Sequence, residues 1–83
     1  MDQIARTPQQ IGAALRRHRK QLGQTQGELS RRTQLRQATI SRLEAGEPAT
    51  RLQTLMDALA ALDLEIVIRP RTKGSASELE DIF

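Results

Sequence analysis

Cysteine is absent from this chain of 83 residues, and its one aromatic residue is Phe83 at the last position. Disulfide bonds are therefore excluded, and no thiolate is available for a structural zinc site. A hydrophobic core without internal aromatic rings must be aliphatic and thin. Domains of this size gain extra stability from disulfides, a metal or a partner subunit, so association with another chain is the source that remains.

Long hydrophobic runs and catalytic groups are also missing. No apolar stretch approaches the length of a membrane span, and the N-terminus lacks the apolar segment of a secretory signal, so we expect a cytoplasmic protein. His18 has no cysteine or second histidine with which to share a metal, and we expect it to be a packing residue. The sequence has no glycine-rich phosphate loop and no paired carboxylates suited to acid–base chemistry. We therefore expect no enzyme activity, small-molecule substrate, cofactor or metal.

The charged residues are segregated along the chain, whose formal charge is +3. Residues 16–42 hold eight basic residues and one acidic residue, a net charge of +7, whereas residues 74–83 hold three acidic residues and no basic one. A basic segment of this density indicates a polyanionic partner, and the acidic end indicates a different partner or none.

Three capping boxes divide much of the chain into helices. In each, a threonine is followed three residues later by glutamine or glutamate and then by apolar residues at helical spacing. The pairs are Thr7 with Gln10, Thr25 with Glu28, and Thr50 with Gln53. Together with Gly23 and Gly46, which favour helix ends, they predict helices at about 8–22, 26–32, 37–44 and 51–62.

The apolar positions predict how these helices pack. The fourth helix has the broadest apolar stripe, and we expect it to be the main wall of the core. The stripe consists of Leu52, Leu55, Met56, Leu59 and Leu62. Gly27, in the second helix, lacks a side chain, and we expect it to permit a close approach between helices. The third helix buries Ile40 and Leu43 and leaves a polar outer face.

The hydrophobic period changes from helical to two after the fourth helix, which predicts a β-strand. Its residues are Leu64, Glu65, Ile66, Val67, Ile68 and Arg69. Because the sequence offers no second strand, this one must pair with another copy or another protein, and pairing with itself is the economical solution. An antiparallel pair with Val67 on the two-fold axis places Glu65 opposite the partner's Arg69 twice, giving two cross-strand ion pairs.

The last twelve residues form a separate segment, so we divide the chain into a domain at 1–71 and a flexible acidic tail at 72–83. Residues 72–77 are small and polar, as in linkers. Leu79, Ile82 and Phe83 have the spacing of one apolar helix edge, which indicates a segment that binds a partner. The alternative is a tail whose acidic residues reflect disorder alone.

The second and third predicted helices, joined by a short turn, form a helix-turn-helix, in which the third helix of the chain fits the major groove of DNA. Two runs, Thr25-Gln26-Gly27-Glu28-Leu29 and Gln37-Ala38-Thr39-Ile40-Ser41-Arg42-Leu43-Glu44-Ala45-Gly46, resemble the Cro/repressor-type (XRE) helix-turn-helix family. Residues 37–41, together with Ile68-Arg69-Pro70, are similar to the HipB-type antitoxin branch of that family.

The resemblance implies which residues contact DNA. The implied base contacts are Arg36, Gln37, Ala38, Ser41 and Arg42. The chemistry of these side chains agrees, since a glutamine amide pairs with adenine, an arginine with guanine and an alanine methyl with thymine. The expected phosphate contacts are Thr25, Gln26, Thr39, Arg31 and Arg32. The alternatives are a polar helix face that is only solvated and, for Arg31 and Arg32, cations that complement the helix dipole.

The resemblance also implies a buried ion pair between Arg19 and Glu44, which joins the first helix to the third. Two residues depart from the family pattern. Gln34 occupies a turn position that usually holds glycine, and Thr33 replaces a buried aliphatic residue. A residue other than glycine with a positive φ costs on the order of 1 kcal/mol, so we expect both departures to weaken the turn.

These observations predict a mainly α fold, a four-helix repressor-like domain whose C-terminal strand forms an intersubunit two-stranded sheet. The resemblance implies a homodimer that binds a palindromic operator in double-stranded DNA, represses its own operon and neutralises a HipA-type serine/threonine kinase toxin. Two alternatives remain: a stand-alone phage-type repressor, and a toxin-binding interaction protein with weak DNA binding.

Overall fold

The computed structural model describes residues 3–71, which contain four helices. They are α1 (Pro8–Gln21), α2 (Gln26–Thr33), α3 (Gln37–Glu44) and α4 (Leu52–Ala61). The four predicted helices are confirmed, and each observed end lies within one residue of the predicted one. None of the helices in residues 3–71 is long and apolar enough to cross a membrane.

Two of the three predicted capping interactions are present. Thr7 Oγ1 accepts a hydrogen bond from Gln10 N at 3.1 Å. At α2 the box is complete, because Glu28 N donates to Thr25 Oγ1 and Thr25 N donates to Glu28 Oε1, both at 3.0 Å.

The predicted box of Thr50 with Gln53 is wrong. Arg51 is the N-cap of α4 and makes no side-chain capping bond. The Thr50 hydroxyl instead donates to the Glu47 carbonyl at 2.9 Å, and the Gln53 amide donates to Asp57 Oδ1 at 2.8 Å. Both side chains are therefore engaged elsewhere, in the turn before α4 and along α4 itself.

The core is aliphatic, as predicted. Its buried members are Leu15, Leu29, Ile40, Leu43, Ala58, Leu59 and Leu62. The expectation that the whole stripe of α4 lines this core is wrong, since Leu52 is 70% exposed and Met56 is 43% exposed. Among the other helices, α4 packs mainly against α2. Because α2 has only eight residues, it covers only part of the wide apolar stripe of α4.

Close approach between helices depends on Gly12 and not, as expected, on Gly27. A Cβ atom on Gly12 would lie 2.5 Å from the carbonyl oxygens of Leu43 and Glu44, so α1 and α3 touch at that point through bare backbone. A Cβ atom on Gly27 would find its nearest neighbour, Gln37 Oε1, at 3.7 Å, an ordinary contact. Gly12 therefore fixes how closely α3 lies against α1.

The chain leaves α4 through Asp63, which has a φ of 59°. Leu64 N donates to the Leu59 carbonyl at 2.8 Å, and Leu64 packs against the core. The strand predicted for residues 64–69 is not formed within residues 3–71, because a strand requires a backbone partner and this part of the chain supplies none. Ile66, Val67 and Ile68 are 49%, 66% and 94% exposed. The predicted tail, with Leu79, Ile82 and Phe83, lies outside the described residues.

Candidate nucleic-acid interface

Helix α3 has one buried face and one exposed face. Ile40 and Leu43 are buried in the core, and Glu44 is also buried. All five implied base contacts are exposed, namely Arg36 at the N-cap and Gln37, Ala38, Ser41 and Arg42 within the helix. Helical periodicity separates the two groups, so the same spacing that anchors α3 in the core turns these five residues to solvent.

The start of α3 has unusual capping. Arg36 is its N-cap, and its side chain makes no capping hydrogen bond. The first intrahelical bonds run to the Arg36 carbonyl, from Thr39 N at 2.9 Å and Ile40 N at 3.1 Å. The N–H groups of Gln37 and Ala38 precede those bonds, and the guanidinium of Arg36 adds positive charge at the same helix end. This end is therefore suited to a negatively charged partner.

The turn between α2 and α3 contains the predicted strained residue. Gln34 has φ 60° and ψ 17°, the left-handed conformation that favours glycine. Thr33 is half-buried, and its hydroxyl donates to the Leu29 carbonyl at 2.8 Å and accepts from Leu35 N at 3.2 Å. The Ser30 hydroxyl also donates to the Leu35 carbonyl. The Thr33 and Ser30 hydroxyls therefore tie the end of α2 to the turn in which Gln34 is strained.

A buried ion pair holds the far end of α3. Arg19 Nε lies 2.7 Å from Glu44 Oε2, and Arg19 Nη2 lies 3.0 Å from Glu44 Oε1. Arg19 Nη1 donates to the Gln24 carbonyl at 2.7 Å. The hydrogen bond to Glu44, opposed by burial and aided by the charge of that carboxylate, raises the pKa of Arg19 above its usual value. The pair is thus a charged clamp between α1, the following loop and α3.

Gln26 joins this clamp. Its Nε2 donates to Glu44 Oε1 at 3.1 Å, which connects the first residue of α2 to the last residue of α3. Sequence reasoning assigned Gln26 to a phosphate and missed this contact, because nothing in the sequence relates two polar residues 18 positions apart. The role of Gly12 was missed as well, because its neighbours Leu43 and Glu44 are more than 30 positions away in the sequence.

The implied phosphate contacts lie on or beside the first part of the helix-turn-helix. Thr25, Arg31 and Arg32 are exposed, whereas Gln26 and Thr39 are half-buried. A hydrogen bond from the Thr25 backbone N–H, together with one that involves the Thr25 hydroxyl, lowers the pKa of the Glu28 carboxyl. Glu28 therefore stays ionised, and together with Gln24, Arg31 and Arg32 it lines a shallow depression on the surface of α2.

Side chains of one predicted base contact and two predicted phosphate contacts lie close to Gly27. The position of its absent Cβ lies 3.7 Å from Gln37 Oε1, 3.8 Å from Arg31 Nη1 and 3.8 Å from Thr25 Oγ1. The first turn of α2 thus faces the first residue of α3.

A family model described as helix-turn-helix matches residues 15–68. The chain belongs to the XRE helix-turn-helix family. Within that family it lies in the HipB-type branch, since two curated relatives bear the name Antitoxin HipB. The protein from Escherichia coli O6:H1 is 33% identical over 78 residues, which are 92% of this chain and 83% of that protein. The protein from Escherichia coli K12 is 32% identical over 74 residues, 89% of this chain and 84% of that protein.

Solved structures of HipB share the fold. One is described as a HipB-O4 20mer complex and another as the structure of a HipA-HipB-O2-O3 complex. Each aligns with a TM-score of 0.80 and 32% identity and covers 86% of this chain and all of the matched chain. The likeness therefore extends through the whole HipB chain in those structures.

Proposed function

We propose that this protein is a HipB-like antitoxin, a homodimeric repressor that binds a palindromic operator upstream of its own operon and neutralises a HipA-type serine/threonine kinase toxin. The observation that carries the proposal is the outer face of α3, where Gln37, Ala38, Ser41 and Arg42 are exposed opposite a face anchored in the core. Such a protein works in the cytoplasm, and that location is part of the proposal.

In this proposal α3 reads base edges in the major groove. Gln37 presents its amide to adenine, Arg36 or Arg42 presents a guanidinium to guanine, and Ala38 contacts a thymine methyl group, while the small Ser41 side chain permits close approach. The phosphate contacts are the side chains of Thr25, Thr39, Arg31 and Arg32 and the backbone N–H of Gln26. Electrostatics favour this assignment, because residues 16–42 carry a net charge of +7.

The dimer forms in this proposal through the segment 64–69, which pairs antiparallel with its copy. Exposure supports the pairing, because Ile66, Val67 and Ile68 form a run of three exposed apolar residues that a second strand and its neighbours would cover. With Val67 on the axis, Glu65 pairs with the partner's Arg69 across the sheet. The two copies of α3 then contact half-sites about one helical turn, or a small multiple of it, apart.

The kinase arm of the proposal has support from the relatives, whose solved structures include a HipA-HipB-O2-O3 complex. We propose that the tail, through Leu79, Ile82 and Phe83, contributes to toxin binding. Removal of residues 74–83 should then leave operator affinity unchanged and weaken the toxin complex, which separate titrations against DNA and toxin measure. Unchanged toxin affinity after truncation would rule out the tail.

The experiment that tests the proposal as a whole is native mass spectrometry of the protein isolated at low salt from its own cells. We expect a species with two copies of this chain and a subunit of kinase size. A bare dimer that binds a defined operator would instead identify a stand-alone repressor. A toxin complex whose DNA affinity depends steeply on salt but little on sequence would identify an interaction protein.

A further inference from the structure

We infer that the side chain of Gln26 is a positioning residue for sequence recognition, acting through its hydrogen bond to Glu44 and not through a phosphate. The inference rests on the proposed function, because it concerns how α3 reads DNA. The contact that carries it is Gln26 Nε2 to Glu44 Oε1 at 3.1 Å, in a half-buried setting. The Gln26 amide is therefore turned inward, while its backbone N–H remains at the open start of α2.

Two adjacent residues of α2 lie beside opposite ends of α3. Gln26 bonds to Glu44, the last residue of α3, and the bare Cα of Gly27 faces the side chain of Gln37, the first residue. The first turn of α2 thus lies along the length of the recognition helix. The hydrogen bond from Gln26 to the last residue of α3 therefore restricts the angle between the two helices.

The angle matters because hydrogen bonds to base edges tolerate little displacement. Gln37 and Glu44 are seven positions apart, which corresponds to about 10 Å along a helix axis. A tilt of about 10° around Glu44 would move Gln37 by about 2 Å, whereas N–H···O bonds span a range of only about 0.5 Å. A bidentate contact between Gln37 and a base does not survive such a shift.

Arg19 alone does not fix this angle. The Arg19 guanidinium satisfies both oxygens of Glu44, but Arg19 lies in α1, so the ion pair ties α3 to α1. Of the hydrogen bonds made by Glu44 within residues 3–71, the one from Gln26 ties the carboxylate to α2. Removal of the Gln26 amide leaves the ion pair of Arg19 with Glu44 in place, but it removes the hydrogen bond that holds α2 to the end of α3.

The test uses Gln26→Met, which keeps the length of the side chain and removes its amide. The probes are a duplex that the wild-type chain selects from a random pool and a scrambled duplex, with affinities measured by fluorescence anisotropy at several salt concentrations. We expect the ratio of the two affinities to fall at least fivefold. Affinity for the scrambled duplex and its dependence on salt should stay unchanged, because the phosphate contacts remain.

Arg31→Ala is the matched control. Arg31 is a proposed phosphate contact, so its removal should weaken binding to both duplexes equally and make the salt dependence shallower. A second control is Gln26→Met in a Gln37→Ala background, where we expect a smaller additional loss of selectivity than in the wild-type chain, because one of the displaced base contacts is already absent. A general loss of structure would lower selectivity equally in both backgrounds.

Two outcomes would overturn the inference. An equal loss on both duplexes with a shallower salt dependence would make Gln26 a phosphate contact, and unchanged selectivity in a folded variant would remove any role in positioning. If Gln26→Met does not fold, Gln26→Ala replaces it, since alanine favours the helix. A wild-type chain that selects no sequence would overturn the proposed function, whereas selectivity retained by the variant would overturn this inference alone.

Discussion

The guanidinium of Arg19 meets the carboxylate of Glu44 through two hydrogen bonds, Nε to Oε2 at 2.7 Å and Nη2 to Oε1 at 3.0 Å. Both residues are nearly enclosed, with Arg19 6% exposed and Glu44 8% exposed. In a domain with no disulfide and no aromatic ring in its described core, this charged pair joins two helices that otherwise touch through a few aliphatic side chains and Gly12.

Breaking this pair should destabilise the fold. Arg19→Ala leaves the Glu44 carboxylate buried without its cation, and removal of one partner of a buried pair costs about 3–5 kcal/mol. The measurement is urea denaturation followed by circular dichroism. Arg17→Ala is the control, since Arg17 lies exposed on the same helix and should change stability by less than about 0.5 kcal/mol. Equal effects of the two substitutions would contradict the assignment.

The two helical glycines should respond in opposite ways to alanine. At Gly12 a Cβ atom meets backbone carbonyl oxygens at 2.5 Å, so Gly12→Ala must separate α1 from α3, at a cost of about 1–3 kcal/mol. At Gly27 the added methyl group finds only ordinary contacts, and the higher helix propensity of alanine stabilises by up to about 1 kcal/mol. Thermal unfolding of both variants measures the difference. A stable Gly12→Ala variant would refute the close contact between α1 and α3.

These glycines illustrate what the sequence could and could not predict. Helix ends are local features, so the capping threonines located the starts of α1 and α2, and Gly23 and Gly46 marked the ends of α1 and α3. Gly12 and Gln26 act on residues far away in the chain, and local spacing contains no information about such contacts. The exposure of Leu52 has a similar origin, because a periodic stripe shows that a helix is amphipathic but not how much of the stripe its neighbours cover.

The candidate interface was partly predictable for the same reason. The exposed face of α3 follows from helical periodicity, and the left-handed conformation of Gln34 follows from its place in the turn. The support that Thr33 gives the turn depends on the positions of the Leu29 carbonyl and Leu35 N–H, which only the folded chain specifies.

Stability should decrease in acid partly through Glu28. Hydrogen bonds from Thr25 lower the pKa of this carboxyl below its usual value of 4.5. The ionised form therefore stabilises the folded chain above pH 4.5, and that contribution disappears as the pH falls through 4.5 and the lower pKa of the folded state. Glu28→Gln should make the acid decrease shallower in urea denaturation between pH 7 and pH 3. An identical pH dependence in the variant and the wild type would contradict this linkage.

The proposed strand pairing predicts a specific crosslink. The chain has no native cysteine, so Glu65→Cys combined with Arg69→Cys introduces the only thiols. With Val67 on the two-fold axis, the thiol at position 65 of each copy faces the thiol at position 69 of the other copy. Mild oxidation should therefore give a covalent dimer on a non-reducing gel. Glu65→Cys alone is the control. It should crosslink poorly, because the thiol at position 65 of each copy then faces the partner's Arg69. Absence of a crosslink in the double variant would exclude this register.

In the proposed function the outer face of α3 reads a DNA sequence, and the selectivity of binding measures that reading. The affinity of the full chain for its selected duplex is compared with that for a scrambled duplex at one salt concentration, for the wild type, Gln37→Ala and Arg42→Ala. We predict that the wild type prefers its duplex by at least about 10³-fold and that each variant loses about 1–3 kcal/mol of that preference while remaining dimeric. Variants with the selectivity of the wild type would show that Gln37 and Arg42 do not read the DNA sequence.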